Sequence, residues 1–303
     1  MPPDAPQRRF LHSVRDLSRP AATELLDQAE ALAASSAPPQ WDRRIAFAGI
    51  ASDPQRDHAA QRATMRLGCA ASRWPEALQS RDAPAGWGDP ERFARSGAAL
   101  LVLRLADAGA AQKVRSPCPL LNAGDGARED VVEALIAALT LRRAFGLSGA
   151  LDGLSVALFG PVLESGAARS IIALFGLLNA RLTLCGPTAL LPADADRWGV
   201  SATQDRAEAL AGADAVIVLP LDPESRAIAS LREYEAFFGL DHAMLVAARR
   251  PRKIAFAGPS LIPAQISAPL WADPALSLWT QRAEAAEAMH MALFDLLFVR
   301  VGP

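Results

Sequence analysis

Short apolar runs of strand length alternate with longer segments that carry apolar residues at helical spacing, and this alternation restricts the chain to one broad architecture. The runs cover residues 44–50, 98–104, 154–160, 181–185, 213–219 and 253–257, and helical candidates fall at 129–145, 167–179, 205–210 and 282–299. Runs this apolar suit strands buried on both faces, which calls for parallel sheets with helices above and below. The predicted class is α/β, doubly wound. At 303 residues and 51% apolar content, the chain suits two such units of about 150 residues each better than one. The stretch Phe145-Gly146-Leu147-Ser148-Gly149 separates the two sets of strands. No strand follows the last helix, so that helix is expected to return to the first unit. The expected division is 1–146 together with 282–303, and 147–281. A first amphipathic helix opens with Ser18 as N-cap and Pro20 inside the first turn. Leu25, Leu26, Ala29 and Leu32 then recur along one face, and the helix ends before Pro38-Pro39.

Charge and composition exclude several classes of function. The formal charge is -2, and the 31 basic residues, all Arg except Lys113 and Lys253, are scattered among 33 acids. No electrostatic footprint for nucleic acid results. The apolar runs fall far short of the roughly 20 residues of a membrane span, and residues 1–9 carry Pro, Asp and Arg without an apolar signal core. A cytoplasmic protein with no membrane partner is expected. Cys69, Cys118 and Cys185 lack metal-ligand spacing and read as small buried hydrophobes. No metal and no cofactor is expected. His12, His58, His242 and His290 are far apart, and none stands beside a Ser or Cys nucleophile signature.

Several short segments carry more information in their order than singly. They are His12-Ser13-Val14-Arg15-Asp16-Leu17-Ser18, Arg66-Leu67-Gly68, Leu121-Asn122-Ala123-Gly124-Asp125-Gly126, Leu151-Asp152-Gly153-Leu154, residues 184–192 (LCGPTALLP) and Met291-Ala292-Leu293. In this order and spacing the chain resembles the aspartate/ornithine carbamoyltransferase family, and most of all the aspartate carbamoyltransferase catalytic chain. The resemblance implies a first lobe for carbamoyl phosphate, a second lobe for the acceptor, and trimers whose active sites lie between subunits.

At the positions where that family holds its substrates, the residues carry different chemistry. Binding a dianionic phosphate and an acidic acceptor needs cations, helix N-terminal N–H groups and Arg forks. The family's S-T-R-T-R turn falls on Asp53-Pro54-Gln55-Arg56-Asp57, which brings two carboxylates, and Pro54 removes an N–H donor. His58 lies on the first turn of the same helix. The mobile-loop Lys that a neighbouring subunit supplies has no counterpart in Ala83-Pro84-Ala85, and H-P-T-Q becomes Asp130-Val131-Val132-Glu133. In the second lobe the acceptor-binding Arg falls on Gly166, in a turn that also carries Glu164, while Arg169-Ser170 are kept. Pro220 and Ser225 replace two further positions, with Arg226 one residue away, and Ile262 stands where an Arg is expected. Arg104 keeps its family position, followed by Leu105 in place of His. A one- or two-residue shift would let Arg56, Arg128 or Arg226 serve. Asp53, Asp57, Asp130, Glu133 and Glu164 either converge as an acidic pocket or are solvated or paired with Arg56, Arg104 and Arg128.

Each charged hydrogen bond is worth about 1.5–3 kcal/mol, so losing four or more weakens substrate binding by roughly 6–12 kcal/mol. The leading expectation is a carbamoyltransferase homologue without transferase activity, acting as a structural or regulatory subunit. Its partners would be copies of itself in a homotrimer or an active pyrimidine-pathway enzyme. Two alternatives stand beside it: an enzyme whose acidic cleft takes an amine-bearing or neutral substrate, and an active aspartate carbamoyltransferase that uses shifted Arg residues.

Overall fold

The computed structural model describes residues 10–49, 54–73, 97–247, 253–258 and 264–299. Two five-stranded sheets, parallel throughout, organise the chain. The first contains β1 (Phe10–Leu11), β2 (Arg44–Gly49), β3 (Ala70–Arg73), β4 (Leu100–Leu105) and β5 (Leu120–Asp125), in the order β1-β5-β4-β2-β3. The second contains β6 (Ser155–Phe159), β7 (Arg181–Cys185), β8 (Ser201–Thr203), β9 (Ala215–Val218) and β10 (Lys253–Phe256), in the order β10-β9-β6-β7-β8. The central strands are buried on both faces, as Leu100, Leu101, Val102 and Leu103 of β4 illustrate. This burial is why they read as unbroken apolar runs.

The helices are α1 (Arg19–Ala34), α2 (Pro54–Arg66), α3 (Val131–Ala144), α4 (Gly166–Leu177), α5 (Arg206–Leu210), α6 (Leu231–Phe238), α7 (His242–Ala247), α8 (Ala268–Ala272) and α9 (Trp279–Val299). Ser18 caps α1 by accepting from the Ala21 amide at 3.3 Å, with Pro20 in the first turn. Its face of Ala22, Leu25, Leu26, Ala29 and Leu32 is buried. The doubly wound α/β class and the return of the last helix hold: α9 packs against α1, α2 and α3. It is buried around most of its circumference because those three helices surround it. Polar side chains fix it as well. Asp295 accepts from Trp41 Nε1 at 2.8 Å and Gln28 Nε2 at 2.5 Å, and Glu287 pairs with Arg62 and Arg66.

The two sheets share one core. Apolar residues of α1, α3, α4 and α9 run without a break into Val156, Leu158, Leu184 and Ile217 of the second sheet. Periodicity did not reveal β5, a buried interior strand whose run 120–125 mixes Asn, Gly and Asp with its apolar residues, nor α2, whose sequence is mostly polar, nor the short strands β1 and β3. β3 carries Ala70, Ala71, Ser72 and Arg73, which are mostly poor strand formers, and β1 is two residues long. Among the described residues, no helix is long and apolar enough to cross a membrane.

Phe294 is fully buried in α9, where its ring meets Phe47 edge-on at 6.2 Å. Phe294→Ala is expected to lower the unfolding free energy by about 3–5 kcal/mol, read from the shift in the urea midpoint.

Candidate functional site

Parallel α/β sheets place their ligand sites beyond the carboxyl ends of the strands, where helix N-termini converge. In the first sheet that position is filled from within. Arg56 lies in the first turn of α2 and is only 4% exposed. Its guanidinium forks onto Asp130, with Nη1 to Oδ2 at 2.6 Å and Nη2 to Oδ1 at 3.0 Å, and Nη2 also donates to the Ala123 carbonyl at 3.0 Å. Asp130 is also the N-cap of α3, where Oδ1 accepts from the Glu133 amide at 2.9 Å. One carboxylate therefore caps a helix and binds an arginine.

Glu133 continues the chain of charges. Its Oε2 lies 3.4 Å from Arg56 Nη1 and 2.7 Å from Arg282 Nη2, and Arg282 Nε and Nη2 both reach Oε1, at 3.2 and 2.9 Å. Glu133 and Arg282 are each 1% exposed. The sequence Asp130, Arg56, Glu133, Arg282 alternates in sign and is formally neutral, the condition under which buried charges persist. His290 of α9 is fully buried beside it and bonds the Ala286 carbonyl through Nδ1 at 2.6 Å. Burial, with smaller contributions from Arg56 and Arg282, pulls its pKa down to about 4. The neutral ring donates from Nδ1 without adding charge.

Gly124 brings Asp130 close to the end of β4. It has φ +133, and a Cβ there would lie 3.3 Å from Asp130 Oδ2 and 3.6 Å from Arg104 Cγ. Arg104 is half-buried at this end of β4. Asp125, just beyond, is fully buried, and burial raises its pKa above the ordinary carboxylate value.

The remaining candidates do not gather into an acidic pocket. Asp57 is bound by both terminal nitrogens of Arg73 in β3, each at 3.1 Å. Glu164 is exposed and accepts from Ser225 Oγ with both oxygens at 3.0 Å. Gln55 and His58 are exposed on α2, and Arg226 is exposed in the loop after β9. Asp53, residues 83–85 and Ile262 lie outside the described residues. Among the described carboxylates, Asp130 and Glu133 thus lie together around Arg56, whereas Asp57 and Glu164 have partners elsewhere. No cluster suited to a metal ion occurs among the described residues. Of the three arginines considered as partners for these acids, Arg56 is joined by one that sequence reasoning missed, Arg282. A signal for it existed: Leu278, Arg282, Ala285, Ala286 and Met289 follow helical spacing, which puts a charge on an apolar face.

Gly166 marks where the two sheets' units meet. A Cβ on it would fall 2.5 Å from the Gly126 carbonyl oxygen and 2.8 Å from that of Glu129. Neither backbone atom can move aside cheaply, so the Arg that the family resemblance led one to expect here has no room. Ser170 of α4 completes the junction by accepting from the Asp130 amide at 2.9 Å and donating to Glu129 Oε2 at 2.6 Å. Glu129 Oε1 accepts from Ser13 Oγ at 2.9 Å. Ser170 and Ser13 lie in segments that carry the resemblance, but their meeting at Glu129 was not foreseen, because hydroxyl–carboxylate pairs 41 and 116 residues apart leave no local pattern.

No protein-family model matches the chain. It is 42% identical over 209 residues to the aspartate carbamoyltransferase catalytic subunit of Caulobacter vibrioides, an alignment covering 67% of this chain and 61% of that protein. To the same subunit of Granulibacter bethesdensis it is 40% identical over 205 residues, covering 65% and 63%. The chain therefore matches about three fifths of the length of these curated relatives. Among solved structures, the catalytic subunit of M. jannaschii aspartate transcarbamoylase superposes with a TM-score of 0.81 at 19% identity, over 97% of this chain and 100% of that one. The Trypanosoma cruzi aspartate transcarbamoylase in complex with carbamoyl aspartate and phosphate gives 0.77 at 21% identity, over 95% and 94%. The fold is that of the carbamoyltransferases.

Two outcomes test the buried chain of charges. Glu133→Gln removes the negative charge that Arg282 and Arg56 share and is expected to cost about 3–5 kcal/mol in chemical denaturation, whereas adding Arg282→Met restores more than half of it. His290 has a folded pKa below its unfolded value of about 6.5, so the unfolded state takes up the proton first. Its contribution to stability is complete above about pH 6.5 and is lost as pH falls toward 4, amounting to about 3 kcal/mol. His290→Asn, which keeps a donor for Ala286, should flatten this part of the stability profile.

Proposed function

We propose that this chain, a homologue of the aspartate carbamoyltransferase catalytic subunits with their fold, has lost carbamoyl transfer and works as a non-catalytic subunit. The observation that carries the reading is the engagement of Arg56. A phosphate that recruited this guanidinium would have to break a bidentate pair at 2.6 and 3.0 Å. It would then face Asp130 and Glu133, whose charges repel it. The buried carboxylates occupy the place where the family's carbamoyl-contacting donors are expected, and Gly166 removes an acceptor-binding cation together with the space for it.

In this proposal residues 1–146 with 282–303 form the lobe descended from a carbamoyl phosphate site, and 147–281 the lobe descended from an aspartate site. The altered-substrate alternative is weakened because Asp130 and Glu133 are already neutralised by arginines. An amine would gain little there. Catalysis through shifted arginines would have to rest on Arg104, Arg128 and Arg226, since Arg56 is committed. The proposed role is assembly in the cytoplasm, as a trimer or in a complex with an active pyrimidine-pathway enzyme. Exposed apolar side chains on three helices, Met65, Phe237 and Val299, offer contact surface for it.

The test joins an assay of carbamoyl aspartate formation to size measurement. With carbamoyl phosphate and aspartate both at millimolar concentration, no product is expected. Light scattering is expected to find a trimer or a stable complex with an aspartate carbamoyltransferase or a dihydroorotase. Saturable turnover that disappears in Arg104→Ala overturns the loss of activity, and a lone monomer that joins neither enzyme overturns the subunit role.

A further inference from the structure

A second feature adjoins the junction of the two sheets' units and shares Ser13 and Glu129 with it. A cleft of about 680 Å³ opens between them, within the range of about 300–1,000 Å³ usual for small-molecule sites. Four arginines line it, each from a different element: Arg15 from the turn after β1, Arg128 from the loop after β5, Arg169 from α4 and Arg197 from the turn before β8. Among the described residues none of the four makes an ion pair, whereas Arg19, Arg56, Arg62, Arg66, Arg73, Arg142, Arg143 and Arg282 all do. Arg169 instead stacks on Trp198 at 4.9 Å, which holds its guanidinium at the cleft wall.

One carboxylate lines the cleft, Glu129, and its two oxygens already accept from Ser13 and Ser170. Asp125 lies behind Arg128 but is fully buried, and Asp16 is occupied in capping the amides of His12 and Ser13. Four like charges drawn into one concavity repel one another, and a multivalent anion would remove that repulsion while gaining several charged hydrogen bonds. We infer that this cleft binds a small, multiply charged oxyanion, bridged between the two units by Arg15 and Arg128 on one side and Arg169 and Arg197 on the other. Glu129 and Ser170 connect it to the Asp130 amide, so an occupant stiffens the junction that Gly166 closes.

The experiment is a thermal-unfolding and calorimetric titration of the full chain with inorganic pyrophosphate and, separately, citrate, at matched ionic strength with chloride as the control. Saturable stabilisation is expected, tightest with pyrophosphate if the natural ligand bears phosphoryl groups and with citrate if it is a polycarboxylate. Arg15→Gln with Arg169→Gln should weaken it at least tenfold, as should Arg128→Gln with Arg197→Gln, while the exposed Arg232→Gln leaves it unchanged. Circular dichroism confirms that the variants fold. Absence of saturation by either anion overturns the inference, as does binding that survives both double variants. Binding of an acidic polyglutamate peptide in place of both small anions overturns it in favour of a macromolecular partner. Stabilisation lost in Arg104→Ala but kept in the cleft variants places the anion at the ancestral phosphate position. That result counts against the loss of activity as well, whereas failure at the cleft alone leaves the proposed function untouched.

Discussion

The alternating chain of Asp130, Arg56, Glu133 and Arg282 is the constraint on which the first sheet's ligand end depends. Each member is buried, and each is tolerable only because the next neutralises it. Asp130 sets the start of α3, Arg56 joins α2 to that start and to the Ala123 carbonyl, and Arg282 brings in α9. Four residues from three helices thus close the space above the strands. The arrangement places carboxylates already paired with arginines at the ligand end of the sheet.

The junction between the two sheets follows the same economy of space. Gly166 allows the first turn of α4 to approach the Gly126 and Glu129 carbonyls more closely than any side chain permits. Ser170 then ties the same helix to the Asp130 amide and to Glu129. The core continues through this contact from α9 to the second sheet. Backbone and hydroxyl groups thus fill the contact between the two units at this point. Cations have not vanished from the junction. They line the adjoining cleft, at Arg15, Arg128, Arg169 and Arg197.

Much of the fold was legible along the chain because parallel strands buried on both faces leave unbroken apolar runs, and helices between them leave a 3.6-residue period. Strand 181–185 and the Ser18 cap of α1 were read to the residue. β1, β3 and β8 were not, since edge strands of two to four residues bury little and carry no alternation, and neither was the interior strand β5, because Asn122, Gly124 and Asp125 interrupt its apolar run. At the candidate site the identities were readable and the partnerships were not. Asp130 and Glu133 stood out as acids in a place that called for donors, but nothing local showed that Arg282, 149 residues from Glu133, would face them.

By itself, the sequence determined the doubly wound α/β class, the return of the last helix, the resemblance to carbamoyltransferases and the presence of carboxylates at Asp130 and Glu133. These depend on periodicity and residue identity, which are local properties. Tertiary structure alone decided that Arg56 pairs with Asp130, that Gly166 is a packing requirement, and that four arginines without an ion pair among the described residues share one cleft. Each of those depends on which residues distant in the chain meet at separations of a few ångström, and a short-range electrostatic or steric contact has no trace in the spacing of either partner.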